Sequence, residues 1–310
     1  NLPEPKIKDG STAMDVSLWT GNGTSQTISG LNHSPDLVWS KARSFGADHE
    51  IYDIVRGAGK RLYTSLTNAE SSPSTSVNSF TSDGFTVTGG GGVNNNTSTY
   101  VGWTWDAGSS TVTNTDGSIT SQVRASASNG FSIITYTGNS SGGSGNVGHG
   151  LNAAPDFIIF KTRDAADNWA IYHSSLGQAY LEFTTSGQGG NAANRWSSLP
   201  TSSVIHLGSD TNINTKNHLL YAWSAVEGYS AFGKYTGNGS ADGPFVYTGL
   251  RPRWVLLKES SSAGELWVVY DTARNTSNVM GKQLYPSSSA AEADASADTH
   301  ARIDFLSNGF

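Results

Sequence analysis

Trp19-Thr20-Gly21-Asn22-Gly23-Thr24 returns twice in this chain, as Tyr136-Thr137-Gly138-Asn139-Ser140-Ser141 and as Tyr235-Thr236-Gly237-Asn238-Gly239-Ser240. Each copy runs through a polar stretch into Gly-Leu, then Pro, then an apolar run ending in Lys: Gly30-Leu31 with residues 35–41, Gly150-Leu151 with 155–161, and Gly249-Leu250 with 252–258. An aromatic and a Thr close a strand, Gly and Asn supply residues that tolerate positive φ, and the Pro opens a buried strand where it removes no ladder bond. The phrase therefore reads as a β-hairpin. Its copies start at 19, 136 and 235, a period the size of a small domain, so the chain reads as three tandem copies of one unit.

Composition agrees. The 310 residues include 36 Gly, 9 Trp, 12 Tyr and 11 Phe but only 14% charged residues, the profile of sheets joined by many turns. Helical periodicity is nearly absent; the best candidate, 289–302, reads equally well as a solvated loop. A net charge of −6 without a basic stripe argues against nucleic acid. No apolar run approaches the ~20 residues of a membrane span. With no Cys, disulfide frameworks, thiolate metal sites and Cys nucleophiles are excluded.

The expected fold is all-β: tandem antiparallel β-sandwich repeats of jelly-roll or lectin-like type with very little helix. Residues 1–13 read as a linker, 14–128 as the first unit, 129–228 as the second and 229–310 as the third, with 107–129 leading from the first unit to the second. Trp103 and Trp105 stand two apart with Val101 on one face of the strand at 100–105, an arrangement that favours core. The strand at 219–224 repeats that one. The third unit stops at Ser307-Asn308-Gly309-Phe310, the counterpart of Ser82-Asp83-Gly84-Phe85, so the strand that follows in unit one has no counterpart. A sheet left there has an unpaired edge. The expectation is that further chain or another subunit completes it.

Over essentially its whole length the chain resembles repeat-containing virion proteins of marine and cyanobacterial tailed phages, usually of unassigned function. The words that carry the resemblance are residues 19–24 with 35–39, 147–159, Tyr172-His173-Ser174-Ser175-Leu176-Gly177, Val226-Glu227-Gly228-Tyr229-Ser230-Ala231-Phe232-Gly233, Asp271-Thr272-Ala273-Arg274-Asn275 and 305–310. The resemblance implies a tail fibre or other surface appendage on the outside of the particle, with other virion subunits as partners and a homo-oligomer, a trimer, as the expected assembly. It carries no catalytic residue.

Catalytic signatures are missing. Gly143-Ser144-Gly145-Asn146-Val147-Gly148 matches the dinucleotide pattern but leads to another strand, not a helix. There is no nucleophile elbow, Walker loop or His-Glu-x-x-His motif. Asp210, Asn212 and Asn214 begin like an EF-hand loop, yet Thr215 replaces the Gly and Tyr221 the final Glu, which leaves at most a weak Ca2+ candidate of another geometry. Asn22, Asn139 and Asn238 sit in sequons that read as turn chemistry.

A sugar site needs an aromatic platform with amide or carboxylate partners at loop tips. The loops at 89–98 and 186–196 qualify, with Asn94, Asn95 and Asn96 in the first and Asn191, Asn194, Arg195 and Trp196 in the second. Trp196 lies in a polar loop and is the least core-like Trp; Trp169, after Asp167-Asn168, is next. Loop aromatics also plug sandwich ends. Three roles follow: a structural phage component, a receptor module for host-surface polysaccharide, and, lacking any acid/base motif, a polysaccharide depolymerase.

Overall fold

The computed structural model describes residues 4–140, 143–183, 188–191, 193–262, 264–298 and 301–310. Its first unit contains β1 (Met14–Thr20), β2 (Gln26–Ser29), β3 (Leu37–Ala42), β4 (Glu50–Asp53), β5 (Leu62–Tyr63), β6 (Val77–Thr81), β7 (Gly84–Val87), the single-turn α1 (Gly91–Asn94) and β8 (Thr99–Trp105). The main sheet has the order β1-β8-β3-β4-β5, and a second sheet, β2-β7-β6, covers one of its faces. The last strand thus inserts between the first and the third. All ladders are antiparallel.

The second unit repeats the plan with β9 (Thr111–Asn114), β10 (Ser121–Ser126), β11 (Phe131–Thr137), β12 (Gly145–Gly148), β13 (Phe157–Thr162), β14 (Ala170–His173), β15 (Ala179–Glu182), β16 (Gln188–Asn191), β17 (Val204–Leu207) and β18 (Asn217–Trp223). Here β18 lies between β11 and β13, and β12 with β17 forms the covering sheet. The connecting stretch is not idle chain: β9 and β10 extend the second unit's main sheet to eight strands. The third unit has β19 (Trp254–Leu257), β20 (Val268–Asp271), β21 (Lys282–Gln283) and β22 (Ala293–Asp294). In the described residues of the acidic stretch, 289–298 and 301–302, the chain is loop and the short β22, not helix. In all three copies the Gly of the Gly-Leu word, Gly30, Gly150 and Gly249, has positive φ (94°, 71° and 75°), which explains why Gly recurs there.

The strands β3 and β13 are buried along their whole length because both faces of each sheet are covered. With a side-chain period of two, alternate residues serve different cores. From β3, Val38 and Ala42 enter the first unit's own sandwich, while Leu37 and Trp39 enter a core shared by all three units. From β13, Ile158 and Phe160 go outward and Phe157 and Ile159 inward. Val101, Trp103 and Trp105 of β8 all face the shared core, and so do Leu219 and Tyr221 of β18. At its centre Phe183 of the second unit meets Trp39 of the first at 5.7 Å and Trp267 of the third at 5.2 Å, both edge-on.

Charged side chains lock the units in cyclic order. Asp53 and Arg56 of unit one, 2.5 Å apart and fully buried, reach Glu70, which grips Arg163 of unit two. Asp271 and Arg274 of unit three, 2.6 Å apart, reach Glu292, which grips Arg43 of unit one. Each Asp also accepts a hydrogen bond from the next unit's last strand, Asp53 from the Tyr221 hydroxyl at 2.6 Å and Asp271 from the Trp103 indole at 3.0 Å. Lys161 donates to the Thr67 carbonyl and Lys41 to the Ser289 carbonyl, and burial pulls both ammonium groups down to about 8. Finally, Trp169 of unit two donates to the Tyr63 carbonyl of unit one, and Trp267 of unit three to the Glu182 carbonyl of unit two. His49 of unit one faces the Tyr285 carbonyl of unit three, outside hydrogen-bonding geometry. Three tandem copies close on one another instead of stringing out.

Candidate functional site: a polar hollow at Arg195

A hollow of about 310 Å³ opens on the second unit, lined by Thr162, Ala165, Asp167, Arg195, Asp210 and Ile213 among others. That volume is at the small end of the range for ligand sites. Arg195 arrives from the turn after β16 and is 9% exposed. Its guanidinium stands 5.7 Å over the Tyr180 ring, with Nη1 3.5 Å from Asp167, Nε 3.8 Å from Asp210 and Nη2 4.0 Å from Glu182. These are ion-pair distances, too long for hydrogen bonds, and Nε and Nη1 have no hydrogen-bond partner. The carboxylates are themselves held: the Thr162 hydroxyl donates to Asp167 at 3.0 Å, Asn168 to Glu182 at 3.0 Å and Asn194 to Asp210 at 2.5 Å. One cation among three carboxylates disfavours an anionic ligand and offers both donors and acceptors to a neutral polyol.

The sequence-predicted residues scatter over several roles. Arg195 and Asn194 belong to the hollow, and Asp210 joins them. Trp196 does not. It is 1% exposed and sits edge-on to Tyr172 at 6.0 Å inside the second unit's sandwich, so the tryptophan expected to be a platform is a plug. Trp169 is fully buried as an inter-unit post, with its indole on the Tyr63 carbonyl at 2.7 Å. The backbone of Asn191 ends β16; its side chain lies outside the described residues.

Asn94 is fully buried and serves the turn of the repeated phrase. Its amide accepts from the Asn22 N–H at 3.1 Å and Gln26 at 2.8 Å, and donates to the Asn22 side chain at 3.0 Å and the Thr24 carbonyl at 2.5 Å. Asn95 caps locally, accepting from the Gly91 N–H at 2.7 Å, and Asn96 is exposed. The Ca2+ candidates separate as well. Asn212 is buried and does for Asn139 what Asn94 does for Asn22, accepting from its N–H at 3.0 Å and donating to its side chain at 3.2 Å. Asp210 faces Arg195, and Asn214 is exposed. Among the described residues no group of three or more His, Asp or Glu is placed to hold a metal. No helix among them is long and apolar enough to cross a membrane.

Sequence reasoning missed Arg56 and Arg274, the turn-locking function of Asn94 and Asn212, and the matched pairs Lys41/Arg43 and Lys161/Arg163. Their signals were present: Asp-x-x-Arg in units one and three, Lys-x-Arg in units one and two, and an Asn that precedes the last Trp by 11 residues in both complete units (94 to 105, 212 to 223).

Fold and geometry define an all-β protein of antiparallel, sandwich-like sheets, in which the strand order of the first unit recurs in the second. The chain belongs to the family described as Domain of unknown function (DUF7483), whose model matches residues 9–310. No curated protein and no solved structure matches it.

Proposed function

We propose that this chain is a structural component of a tailed-phage particle, part of a tail fibre or another appendage on the outer surface, where it associates with other virion subunits and with copies of itself. The observation that carries the reading is the cyclic interlock. Two Asp–Arg–Glu clamps of the same design and one shared aromatic core make three repeats into a rigid block, as a load-transmitting element requires. The repeated words that resemble phage virion proteins supply the location. Immunogold labelling of particles from a phage that encodes the chain tests it: label on the tail or its fibres is the expected result, and its absence from purified particles refutes the reading.

A second reading, contact with host-surface glycan, is favoured by the hollow at Arg195, whose guanidinium carries two donors without hydrogen bonds beside three carboxylates. Neutral oligosaccharides should bind there, and Asp210→Ala, which removes a half-exposed carboxylate, should abolish the signal on a glycan array. Reducing ends released from host polysaccharide would instead make the hollow a cleaving site.

A further inference from the structure

Each unit places a ring three positions before the Tyr of β4, β14 or β20: His49, Trp169 and Trp267 (49 to 52, 169 to 172, 267 to 270). Each ring faces a carbonyl that follows a buried Leu of the neighbouring unit, those of Tyr285, Tyr63 and Glu182 in turn. The two tryptophans donate to theirs at 2.7 and 2.8 Å. His49 does not; its Nε2 is buried without a hydrogen-bond partner. The seam between units one and three therefore closes on an imidazole where the other two close on an indole.

The imidazole is fully buried, and its contacts fix the tautomer. The Trp39 indole donates to Nδ1 at 3.1 Å, so Nδ1 carries the lone pair and Nε2 the proton. A second proton has to enter at Nδ1, where it meets the Trp39 N–H head-on, and an indole N–H cannot accept it. The ring also stacks on Trp103 at 6.0 Å, and the Arg274 guanidinium stands 5.7 Å over that indole. Desolvation, then Lys41 from β3 and Arg274 from the turn after β20, hold the imidazole well below its ordinary 6.5. The acids nearby are engaged elsewhere: Asp271 and Glu292 with Arg274, and Asp48 with the Ser65 hydroxyl. His49 is also tied to the seam through its backbone. Thr64 donates its N–H to the His49 carbonyl at 3.2 Å and its hydroxyl to the Pro286 carbonyl of unit three at 2.9 Å.

We propose that His49 is an acid-sensitive latch: the seam between units one and three admits only the neutral imidazole, and proton uptake at Nδ1 selects an opened seam in which unit three parts from unit one. The seam between units one and two closes on Trp169, which does not titrate, and stays shut. The other ionisable groups are matched across the two seams. Lys41 and Lys161 each donate to a carbonyl of the opposite unit, and Glu292 and Glu70 each grip two arginines. Their titration moves both seams together, so His49 alone separates them. The sign follows from where the proton binds. The opened state takes it up at the ordinary histidine value and the closed state does not, so closure is complete above that value and weakens as pH falls below it. The latch does not rest on the phage assignment.

The test is amide hydrogen exchange of the full chain at about pH 7 and about pH 5, either side of the ordinary histidine value, expressed as protection factors so that intrinsic rates cancel. Two matched amides report on the seams: the Glu292 N–H on the Arg43 carbonyl at 2.9 Å, and the Glu70 N–H on the Arg163 carbonyl at 2.6 Å. On acidification, protection at Glu292 should fall by about 20-fold, as linkage gives for an ordinary histidine in the opened state, while protection at Glu70 changes by less than about threefold. His49→Gln keeps an acceptor for the Trp39 indole and cannot take the proton, so in that variant the two amides should keep step. In the wild type, nitrogen chemical shifts of labelled histidine should show folded His49 neutral, with its proton on Nε2, at both pH values. A fall that is absent or equal at the two seams, a pH difference that survives in His49→Gln, or a folded His49 that titrates near its ordinary value would overturn the proposal.

Discussion

Arg163 of the second unit and Glu70 of the first meet in a two-pronged ion pair, Nε to Oε2 at 3.0 Å and Nη2 to Oε1 at 2.9 Å, and the Glu70 N–H also donates to the Arg163 carbonyl. Arg43 and Glu292 reproduce it across the third and first units, at 2.9 and 2.8 Å, with the Glu292 N–H on the Arg43 carbonyl. Burial works against ionised Glu70, yet the hydrogen bond from Arg163 and the charges of Arg56 and Arg163 hold its carboxyl below the ordinary value. Removing the acid leaves the Arg163 guanidinium without its carboxylate in a largely desolvated seam and takes from Arg56 one of its two, Asp53 being the other. Glu70→Ala should therefore destabilise the chain by about 3–5 kcal/mol in urea unfolding. Glu292→Ala should fall in the same range, since Arg274 and Arg43 are left in the same state. If both changes cost less than about 1 kcal/mol, the clamps do not hold the units together.

The turn-locking asparagines give a comparison within one chain. Asn94 makes four side-chain hydrogen bonds from a fully buried position, so Asn94→Ala should lose roughly 2–4 kcal/mol of stability. Asn212→Ala, with longer bonds at 3.2 and 3.4 Å beside one at 3.0 Å, should lose less. Asn238 sits in an exposed turn held by its own residues, and Asn238→Ala should stay within about 0.5 kcal/mol. Thermal unfolding of the three variants checks the order, and equal losses would show that the turn itself, not the buried partner, carries the energy.

What the sequence displayed was local in character. The Thr-Gly-Asn phrase, the positive-φ glycines and the alternation of Val101, Trp103 and Trp105 each follow from a few adjacent residues, and so the all-β class and the three copies were legible. Burial of Trp196 was not: a polar loop gives no hint that Tyr172, 24 positions earlier (172 to 196), will meet its ring. The shared core was hidden for a similar reason. A strand covered on both faces reads as a continuous apolar run, and nothing in the run says that its two faces serve different sandwiches. Asn94 and Asn212 looked like ligand-ready loop amides because their partners, Asn22 and Asn139, lie more than 70 residues away.

Trp196 supplies a direct check on that correction. Its ring fills the second unit's sandwich beside Tyr172, so Trp196→Ala should cost about 3–5 kcal/mol, as large-to-small core changes do. Any loss of glycan binding in that variant should follow its loss of fold and disappear under conditions where it is fully folded. The exposed Asn96→Ala should change stability by less than about 0.5 kcal/mol. A fully stable Trp196→Ala protein would return the residue to the surface.

Glu50 makes the fold sensitive to pH. It lies 2% exposed in β4, receives the Tyr52 hydroxyl at 2.5 Å and stands 3.3 Å from Arg61, but desolvation outweighs both partners and pushes its carboxyl up to about 7. A folded value above the ordinary 4.5 means that the native state holds a proton the unfolded chain has released. Its stabilising effect is therefore complete below about 4.5 and is lost as pH rises to about 7, a change on the order of 3 kcal/mol. Burial also raises Asp36 to about 6, which adds a decline ending at lower pH, while His33 and His149, pulled below their ordinary value by burial, act in the opposite sense. The difference between wild type and Glu50→Gln isolates the one group, since the amide keeps the Tyr52 bond and cannot ionise. In urea unfolding from pH 4.5 to 7.5 the variant should gain on the wild type steadily up to about pH 7 and then run parallel to it; a difference independent of pH would mean that Glu50 is ionised in the folded protein throughout.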